Sequence, residues 1–301
     1  MSRPAASALT SDFPAPAVVL ELLKPITWFP PMWAFGCGVV SAGPLLQRRW
    51  PVILAGVVLC GPLLCATSQA VNDWFDRKVD AINEPTRPIP SGRMPGRSGL
   101  YVAVLWSVLS AACAAALGRW VFGFSAVGLL LAWAYSAPPV RLKQNGWWGN
   151  LACALCYEGL AWVTGAAVAS GGVTPSMKIL GIAALYSLGA HGIMTLNDFK
   201  AIEGDRRMGI GSLPVRLGAE RAGEVACATM ALPQAVIVAL LLAWGEPYQA
   251  MAVVVLLGAQ LLLMRRLLAN PRQRAPWYNG TGVTLYVIGM LISAFALKSL
   301  A

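Results

Sequence analysis

Carboxylates are scarce in this chain, and most of its aspartates fall in two short segments. Of six aspartates, only Asp12 lies outside residues 72–80 and 197–205. The first segment reads NDWFDRKVD and the second reads NDFKAIEGD, so each begins Asn-Asp-aromatic and ends in Asp eight residues after its Asn. This internal repeat, with an offset of 125 positions, indicates two halves that each supply one acidic site.

The first segment places three carboxylates on one face of a helix. At 100° per residue, Asp76 lies about 60° and Asp80 about 20° from Asp73 around the helix axis. Carboxylates packed together without enough nearby cations repel one another, so such a cluster normally holds a metal ion. Oxygen ligands suit Mg²⁺, which binds a few carboxylates together with substrate phosphates. Two magnesium ions are predicted, one at each segment, with Mn²⁺ as a possible substitute.

The second segment has a less regular set of acids. Asp198 and Asp205 lie about 20° apart, provided that one helix continues through both residues. Glu203 points elsewhere on an ideal helix, although Gly204 can loosen that turn. The alternative for either segment is a solvated helix end paired with nearby arginines, but two matching segments make this alternative weak.

Basic side chains accompany both acidic segments. Arginine makes bidentate contacts with phosphate oxygens, and the Pro-rich loop 87–93 is stiff enough to hold cations in place. Mixed carboxylates and cations suit a magnesium-bridged diphosphate, although any single arginine is also explained as a topology signal. The candidate diphosphate ligands are Asn72, Arg77, Lys78, Arg87, Arg93, Asn197, Lys200 and Arg206.

Membrane helices must position these residues. The chain has 301 residues, of which 57% are hydrophobic and 12% charged, and its mean hydropathy is +0.62. Soluble domains contain about 25% charged residues, and disorder requires low hydrophobicity. The apolar runs are too long and too regular for barrel strands. An all-α membrane protein is therefore predicted.

Apolar windows predict nine transmembrane helices in one bundle. The windows are 26–47, 51–73, 99–118, 120–137, 150–170, 178–197, 222–244, 247–264 and 281–300. Residues 1–25 are predicted to form a cytoplasmic N-terminal segment, and 26–301 a single transmembrane domain. The first residues do not resemble a secretory signal or a long transit peptide, which favours the inner membrane of a bacterium.

The basic residues orient this bundle. Cytoplasmic loops are enriched in Lys and Arg, and nine spans place 18 of the 23 basic residues on the side that carries both acidic segments. The five on the opposite side are Arg48, Arg49, Arg119, Lys178 and Lys298. The N-terminus is therefore predicted in the cytoplasm and the C-terminus in the periplasm. The net charge of +10 is explained by topology, so nucleic-acid binding is not predicted.

Two polar residues lie inside predicted spans. His191, the only histidine, precedes Asp198 by seven residues, which places it on nearly the same face and about 10 Å deeper. It is predicted either to contact substrate or to make a helix–helix hydrogen bond. Glu158 is a functional candidate because ionisable groups in membranes are costly, against the alternative of a structural pair with another helix.

The motifs resemble those of the UbiA superfamily of intramembrane prenyltransferases. Asn72-Asp73-x-x-Asp76-x-x-x-Asp80, the following Arg87-Pro88 and the second acidic motif carry this resemblance, which covers essentially the whole chain. More narrowly, residues 83–93, 135–147 and 197–205 closely resemble the chlorophyll and bacteriochlorophyll synthases, and 23–33 looks most like the bacteriochlorophyll branch. Many members carry an aspartate where this chain has Ala201, so the second metal is left with Asp198, Asp205 and Glu203.

The resemblance implies a magnesium-dependent transfer of a geranylgeranyl or phytyl group from its diphosphate to the propionate of a chlorophyllide or bacteriochlorophyllide. It makes the five aspartates of the two segments the catalytic metal ligands, with Glu203 as a further ligand. Predicted substrate contacts are Tyr135, Arg141, Lys143, Glu158 and His191. The alternatives are prenyl transfer to a quinone precursor or haem, and a non-catalytic pigment-binding or carrier protein. Acids at helix ends, away from the midplane, argue against a carrier.

Overall fold

The computed structural model describes residues 14–43 and 46–300, and most of these residues are helical. The α-helices in these ranges are α1 (Pro16–Leu23), α2 (Phe29–Ser41), α3 (Leu46–Val58), α4 (Ala66–Asn83), α5 (Ser98–Leu117), α6 (Arg119–Ser136), α7 (Gly146–Ala154), α8 (Leu160–Ala169), α9 (Met177–Asp198), α10 (Ile202–Arg207), α11 (Leu213–Leu217), α12 (Ala219–Ala243), α13 (Pro247–Ala269) and α14 (Pro271–Ser299). Within the described chain, β pairing is limited to one isolated bridge between Asn145 and Gly211. The predicted all-α fold class is confirmed.

Two of the long helices contain a π-helical segment. Leu59–Cys65 joins α3 to α4, and Leu155–Gly159 joins α7 to α8, so each pair forms one continuous rod. The first segment contains Pro62, which has no backbone N–H to donate and disturbs the regular α-helical ladder. A π turn holds more residues than an α turn, so it changes which side chains face the interior of the bundle.

In the described ranges, seven helices are long and apolar enough to cross a membrane, and they coincide with seven of the nine predicted spans. The other two predicted spans, 26–47 and 120–137, correspond to α2 and α6, which do not belong to that set. The helix α2 has 13 residues, or about 20 Å, which is shorter than a bilayer core. The predicted count of nine is therefore not confirmed.

Close backbone contact between α2 and α8 holds the centre of the bundle together. A Cβ atom added to Gly38 would lie 1.9 Å from the Trp162 carbonyl oxygen, and one added to Gly165 would lie 2.1 Å from the Phe35 carbonyl oxygen. Small residues allow such close crossings between membrane helices. Beside this crossing, Trp162 stacks on Tyr186 with ring centres 5.6 Å apart. This rigid centre supports the α8 side of the cavity described below.

Candidate active site

The first acidic segment lies on α4, which continues as one helix to Asn83, as its spacing predicts. Asp73 and Asp80 are buried, with only 1% and 6% of their surfaces exposed, and Asp76 is half-buried. Charged side chains are seldom buried unless they are paired. The partners of these aspartates therefore define the site.

Two cations pair with Asp73 and Asp80, and one of them comes from a distant part of the chain. Lys24 directly follows α1, and its Nζ atom lies 2.6 Å from Asp73 Oδ1. The Arg87 Nη1 atom lies 2.9 Å from Asp80 Oδ2 and 3.5 Å from Asp73 Oδ1. Burial opposes the charge of Arg87, but its hydrogen bonds to Glu84 and the nearby aspartates raise the pKa of its guanidinium above the ordinary value. Arg87 is therefore a fixed cation.

Asp76 is paired with the loop that follows α6. Its Oδ1 atom accepts hydrogen bonds from Lys143 Nζ and from Arg141 Nη2, the latter at 3.4 Å. Burial lowers the pKa of the Lys143 ammonium, and the charge of Asp76 opposes this shift. Each carboxylate of the first segment thus has a cation beside it. Arg87 follows Asp80 by seven residues, whereas Arg141 and Lys143 follow Asp76 by 65 and 67 residues. That these carboxylates also hold a metal ion stays a prediction.

The second acidic segment is split between two helices. The long helix α9 ends at Asp198, and the short helix α10 begins at Ile202, so the continuous helix considered from the sequence is not present. The Oδ2 atom of Asp198 accepts a hydrogen bond of 3.0 Å from Asn150 on α7. Asp205 lies on α10, half-buried and near enough to interact with the charge of Asp198, and its burial raises its pKa.

Glu203 points away from these two aspartates. Its Oε1 atom lies 3.0 Å from Arg272 Nη2 at the start of α14, and both side chains are more than half exposed. Exposed ion pairs of this kind contribute about 0–1 kcal/mol to stability. The direction of Glu203 agrees with the ideal-helix expectation, although the break after Asp198 separates its helix from α9.

The remaining predicted diphosphate ligands have other surroundings. Arg77 donates a 2.6 Å hydrogen bond to the Trp74 carbonyl oxygen, and its guanidinium lies over the Trp74 ring. Arg93 makes hydrogen bonds of 2.6 and 2.7 Å with Glu21 of α1, and these lower the pKa of that carboxyl. Arg93 is exposed, and so are Lys78, Lys200 and Arg206. Within the described residues, none of these five cations forms an ion pair with an aspartate of either segment.

A cavity of about 610 Å³ lies beside the two acidic segments. Asn72 and Asn197, the first residues of the two segments, both line it, as does Tyr135. Asn72 donates to Ser136 Oγ at 3.2 Å, and Asn197 Oδ1 accepts from Asn279 at 2.9 Å. Most of the remaining wall is apolar or aromatic. The two halves of the repeat therefore face one apolar cavity, each through its asparagine.

The two polar residues predicted inside spans differ in their positions. Glu158 lines the cavity, whereas His191 does not belong to the lining residues. The His191 ring stacks on Trp147 with centres 5.5 Å apart, and its Nε2 atom lies 3.3 Å from the Trp147 carbonyl oxygen. His191 thus has the helix–helix contact that was its alternative role.

Sequence reasoning missed two residues of the site. Lys24 was counted only among the basic residues, and Asn150 was not considered. Lys24 precedes Asp73 by 49 positions, and Asn150 precedes Asp198 by 48. Helical periodicity relates neighbours within a few turns, so no spacing signal reports either contact.

The donor atoms fit a divalent ion bound together with a substrate. In the part of the chain that the structure describes, no three His, Cys, Asp or Glu side chains form a group that could hold a metal ion. The Oδ2 atom of Asp73 is nevertheless buried without a hydrogen-bond partner, as expected for an oxygen that awaits a cation. Mg²⁺ commonly binds one or two protein carboxylates and takes its other ligands from water and substrate phosphates. The residues therefore fit Mg²⁺ carried with a diphosphate.

Paired acidic helix ends beside an apolar membrane cavity define an intramembrane prenyltransferase, and the chain belongs to the UbiA prenyltransferase family, which it matches over residues 27–296. It is 58% identical over 287 residues to the bacteriochlorophyll synthase 33 kDa chain of Cereibacter sphaeroides, and this match covers 95% of each protein. It is 52% identical to the protein of the same name from Rhodobacter capsulatus, over 99% of each chain.

A solved structure shows the same fold. A UbiA homolog from Archaeoglobus fulgidus, bound to GPP and Mg²⁺, matches with a TM-score of 0.70 over 94% of this chain and 99% of that one. The two sequences are 19% identical, so this similarity concerns the fold alone.

Proposed function

We propose that the protein is a bacteriochlorophyll synthase, which transfers a geranylgeranyl or phytyl group from its diphosphate to the propionate of bacteriochlorophyllide or chlorophyllide. The choice of reaction is supported by the two acidic segments that face one apolar cavity. The choice of acceptor is supported by the 58% identity with a bacteriochlorophyll synthase over nearly the whole chain. The first of these observations carries the proposal that the protein transfers a prenyl group.

The reaction needs one bond broken and one formed. The bond between the first prenyl carbon and the diphosphate oxygen breaks, and the diphosphate leaves with the electron pair. An oxygen of the propionate then forms the ester bond to that carbon. A carboxyl group with a pKa of about 4 is ionised at neutral pH, so no side chain has to remove a proton. A reaction that needs no general base agrees with a site built of acids and fixed cations.

The charged residues act on the leaving group. Two Mg²⁺ ions, or Mn²⁺ in their place, held by Asp73, Asp76 and Asp80 in one segment and by Asp198 and Asp205 in the other, would neutralise charge on the diphosphate. Arg87 and Lys143 are already positioned by their aspartate partners and stabilise the developing negative charge without reorganisation. The apolar wall excludes water, which would otherwise capture the allylic cation.

Labelled geranylgeranyl diphosphate separates the candidate functions. Membranes that contain the protein are incubated with this donor in three separate reactions. Each reaction contains one acceptor: bacteriochlorophyllide, a quinone precursor or haem. We expect labelled ester only with the pigment. Transfer to a quinone precursor or haem would show a different prenyltransferase, and pigment binding without ester would show a non-catalytic pigment protein. Membranes without the protein serve as the control.

We also propose that the protein lies in a bacterial inner or intracytoplasmic membrane with its N-terminus in the cytoplasm and its C-terminus in the periplasm. The distribution of basic residues supports this orientation. Arg141 and Lys143, which follow α6, contact Asp76 on α4, so α6 returns to the end of the bundle at which α4 finishes. Crossing by α2 and α6 in addition to the seven long helices gives nine spans, which leave the termini on opposite sides.

A pair of reporters tests this orientation. A C-terminal alkaline phosphatase fusion is expected to be active, because this enzyme works in the periplasm, and a C-terminal fluorescent protein that requires the cytoplasm is expected to be dark. The same pair placed in the loop after α6 provides the internal control and should give the reverse result. A fluorescent C-terminal fusion would contradict the orientation and require an even number of spans.

A further inference from the structure

Glu158 is a buried carboxyl group in the wall of the cavity. It lies in the π-helical segment Leu155–Gly159, and only 4% of its surface is exposed. Its Oε2 atom has no hydrogen-bond partner. Within the described residues, neither of its oxygens forms an ion pair or a hydrogen bond. Buried polar groups are nearly always satisfied, so this exception requires an explanation.

The surroundings of Glu158 offer no charge to balance it. Among the described residues, the lining of the cavity contains no Lys, Arg, His or Asp side chain. Cys37 and Tyr286 lie near enough to interact with the charge of Glu158, but neither is a cation, and the Tyr286 hydroxyl already donates to the Tyr186 carbonyl oxygen at 2.6 Å. Burial of an ionised carboxylate without a partner costs far more than burial of the neutral acid. In this wall, the neutral carboxylic acid is therefore the favoured form of Glu158, and its O–H group can donate a hydrogen bond.

The backbone at Glu158 is also unusual. A π segment is rare in proteins, and such segments are frequent at functional sites. Gly159 follows at once, and a Cβ atom there would lie 2.3 Å from Ser187 Oγ on α9, so the two helices are in close contact at this turn. The fold thus fixes Glu158 tightly in a position where the protein itself gives its Oε2 atom no partner.

The depth of Glu158 in the cavity indicates which of the two substrates it contacts. Asn150, eight residues earlier on the same rod, contacts Asp198, so Glu158 lies about 12 Å further along the helix axis from the acidic segments. A prenyl chain has no polar atom at that distance from its diphosphate. A tetrapyrrole whose propionate is at the reacting carbon is wide enough to reach this depth, and carbonyl groups lie on its rim.

We propose that Glu158 determines specificity for the acceptor, because its carboxylic acid donates a hydrogen bond to a carbonyl oxygen on the rim of the tetrapyrrole. This proposal rests on the function proposed above. It assigns the polar part of the cavity wall to the pigment and leaves the apolar part to the prenyl chain.

Steady-state kinetics of three variants test the proposal. Glu158→Leu is expected to raise the KM for bacteriochlorophyllide about 10-fold, the effect of one lost buried hydrogen bond, and to leave the KM for prenyl diphosphate unchanged. Glu158→Gln should retain most of the pigment affinity, because its amide can donate to the same carbonyl. Thr229→Val is the matched control and should leave both KM values unchanged, since the Thr229 hydroxyl lies outside the cavity lining and donates to Val225 O at 2.8 Å. Equal changes in both KM values, or no change, would overturn the proposal.

Two pigment analogues identify the contacted group. On an analogue whose rim carbonyls are replaced by methylene groups, wild type and Glu158→Leu should have the same KM. On a magnesium-free analogue, the 10-fold difference between them should persist. Loss of the difference on the magnesium-free analogue would instead make Glu158 a ligand of the pigment's metal and would overturn the proposed hydrogen bond.

A stability measurement excludes a purely structural role. Removal of an unpartnered buried carboxyl should raise the melting temperature of the substrate-free protein. The reason is that the free-energy cost of desolvating that carboxyl no longer opposes folding. A lower melting temperature in Glu158→Leu would show that the carboxyl supports the fold and would contradict the proposal. Wild-type protein that forms no pigment ester would overturn the proposed function itself, whereas ester formation without the KM difference would overturn only the role of Glu158.

Discussion

Asp73→Asn is expected to reduce turnover by at least about 100-fold, the lower range for the loss of one preorganised electrostatic group in a transition state. The side chain keeps its size, but it loses the charge that binds a divalent ion and pairs with Lys24 at 2.6 Å. The same substitution at Asp76 or Asp80 is expected to have a similarly large effect, because both share the face of α4 with Asp73. Initial rates measured across a Mg²⁺ titration provide the test.

Controls separate this effect from unfolding and from general loss of charge. Glu220→Gln makes the same chemical change on an exposed turn of α12 and should leave the rate unchanged. A chelator should abolish wild-type turnover, and Mg²⁺ or Mn²⁺ should restore it. The amount and the melting temperature of each variant in detergent show whether it is folded. Near-normal turnover in folded Asp73→Asn or Asp76→Asn would remove these residues from the metal site.

The second acidic segment is expected to show a strong contrast between its own carboxylates. Asp198→Asn and Asp205→Asn should reduce turnover by at least about 100-fold and raise the Mg²⁺ concentration needed for half-maximal rate. Glu203→Gln should stay close to wild type, since its exposed pair with Arg272 lies outside the cavity. The contrast follows from the directions of the α10 carboxylates, because Glu203 pairs with Arg272 whereas Asp205 lies near enough to Asp198 to interact with its charge.

Arg272→Gln supplies the matched control for Glu203→Gln, because it breaks the same exposed ion pair from the other side. Both variants should have the same small effect on stability and almost none on the metal titration. A Glu203→Gln enzyme that is the most impaired of the set, together with an unaffected Asp198→Asn enzyme, would require a second metal site built around α10 instead.

Local periodicity was sufficient for the first acidic segment and insufficient for the second. The i, i+3 and i+7 spacing of the α4 aspartates predicts one face wherever a helix is regular, and α4 is regular through Asn83. The same rule applied to Asp198 and Asp205 requires a continuous helix that the chain does not form. The propensities of residues 199–201 do not determine where a membrane helix ends, because packing of α9 against α7 and α12 contributes to that choice.

The sequence by itself determined the all-α membrane fold, the family and the positions of the two acidic segments, because hydropathy, charge and short motifs are local properties. Only the tertiary structure decided which cations accompany the acids, since Lys24 and Lys143 reach α4 from 49 and 67 positions away. It also decided that Glu158 faces the cavity while His191 packs on Trp147. The face that a buried polar residue presents depends on the rotation of its helix against neighbours, and a π turn changes that rotation without any clear signal in the sequence.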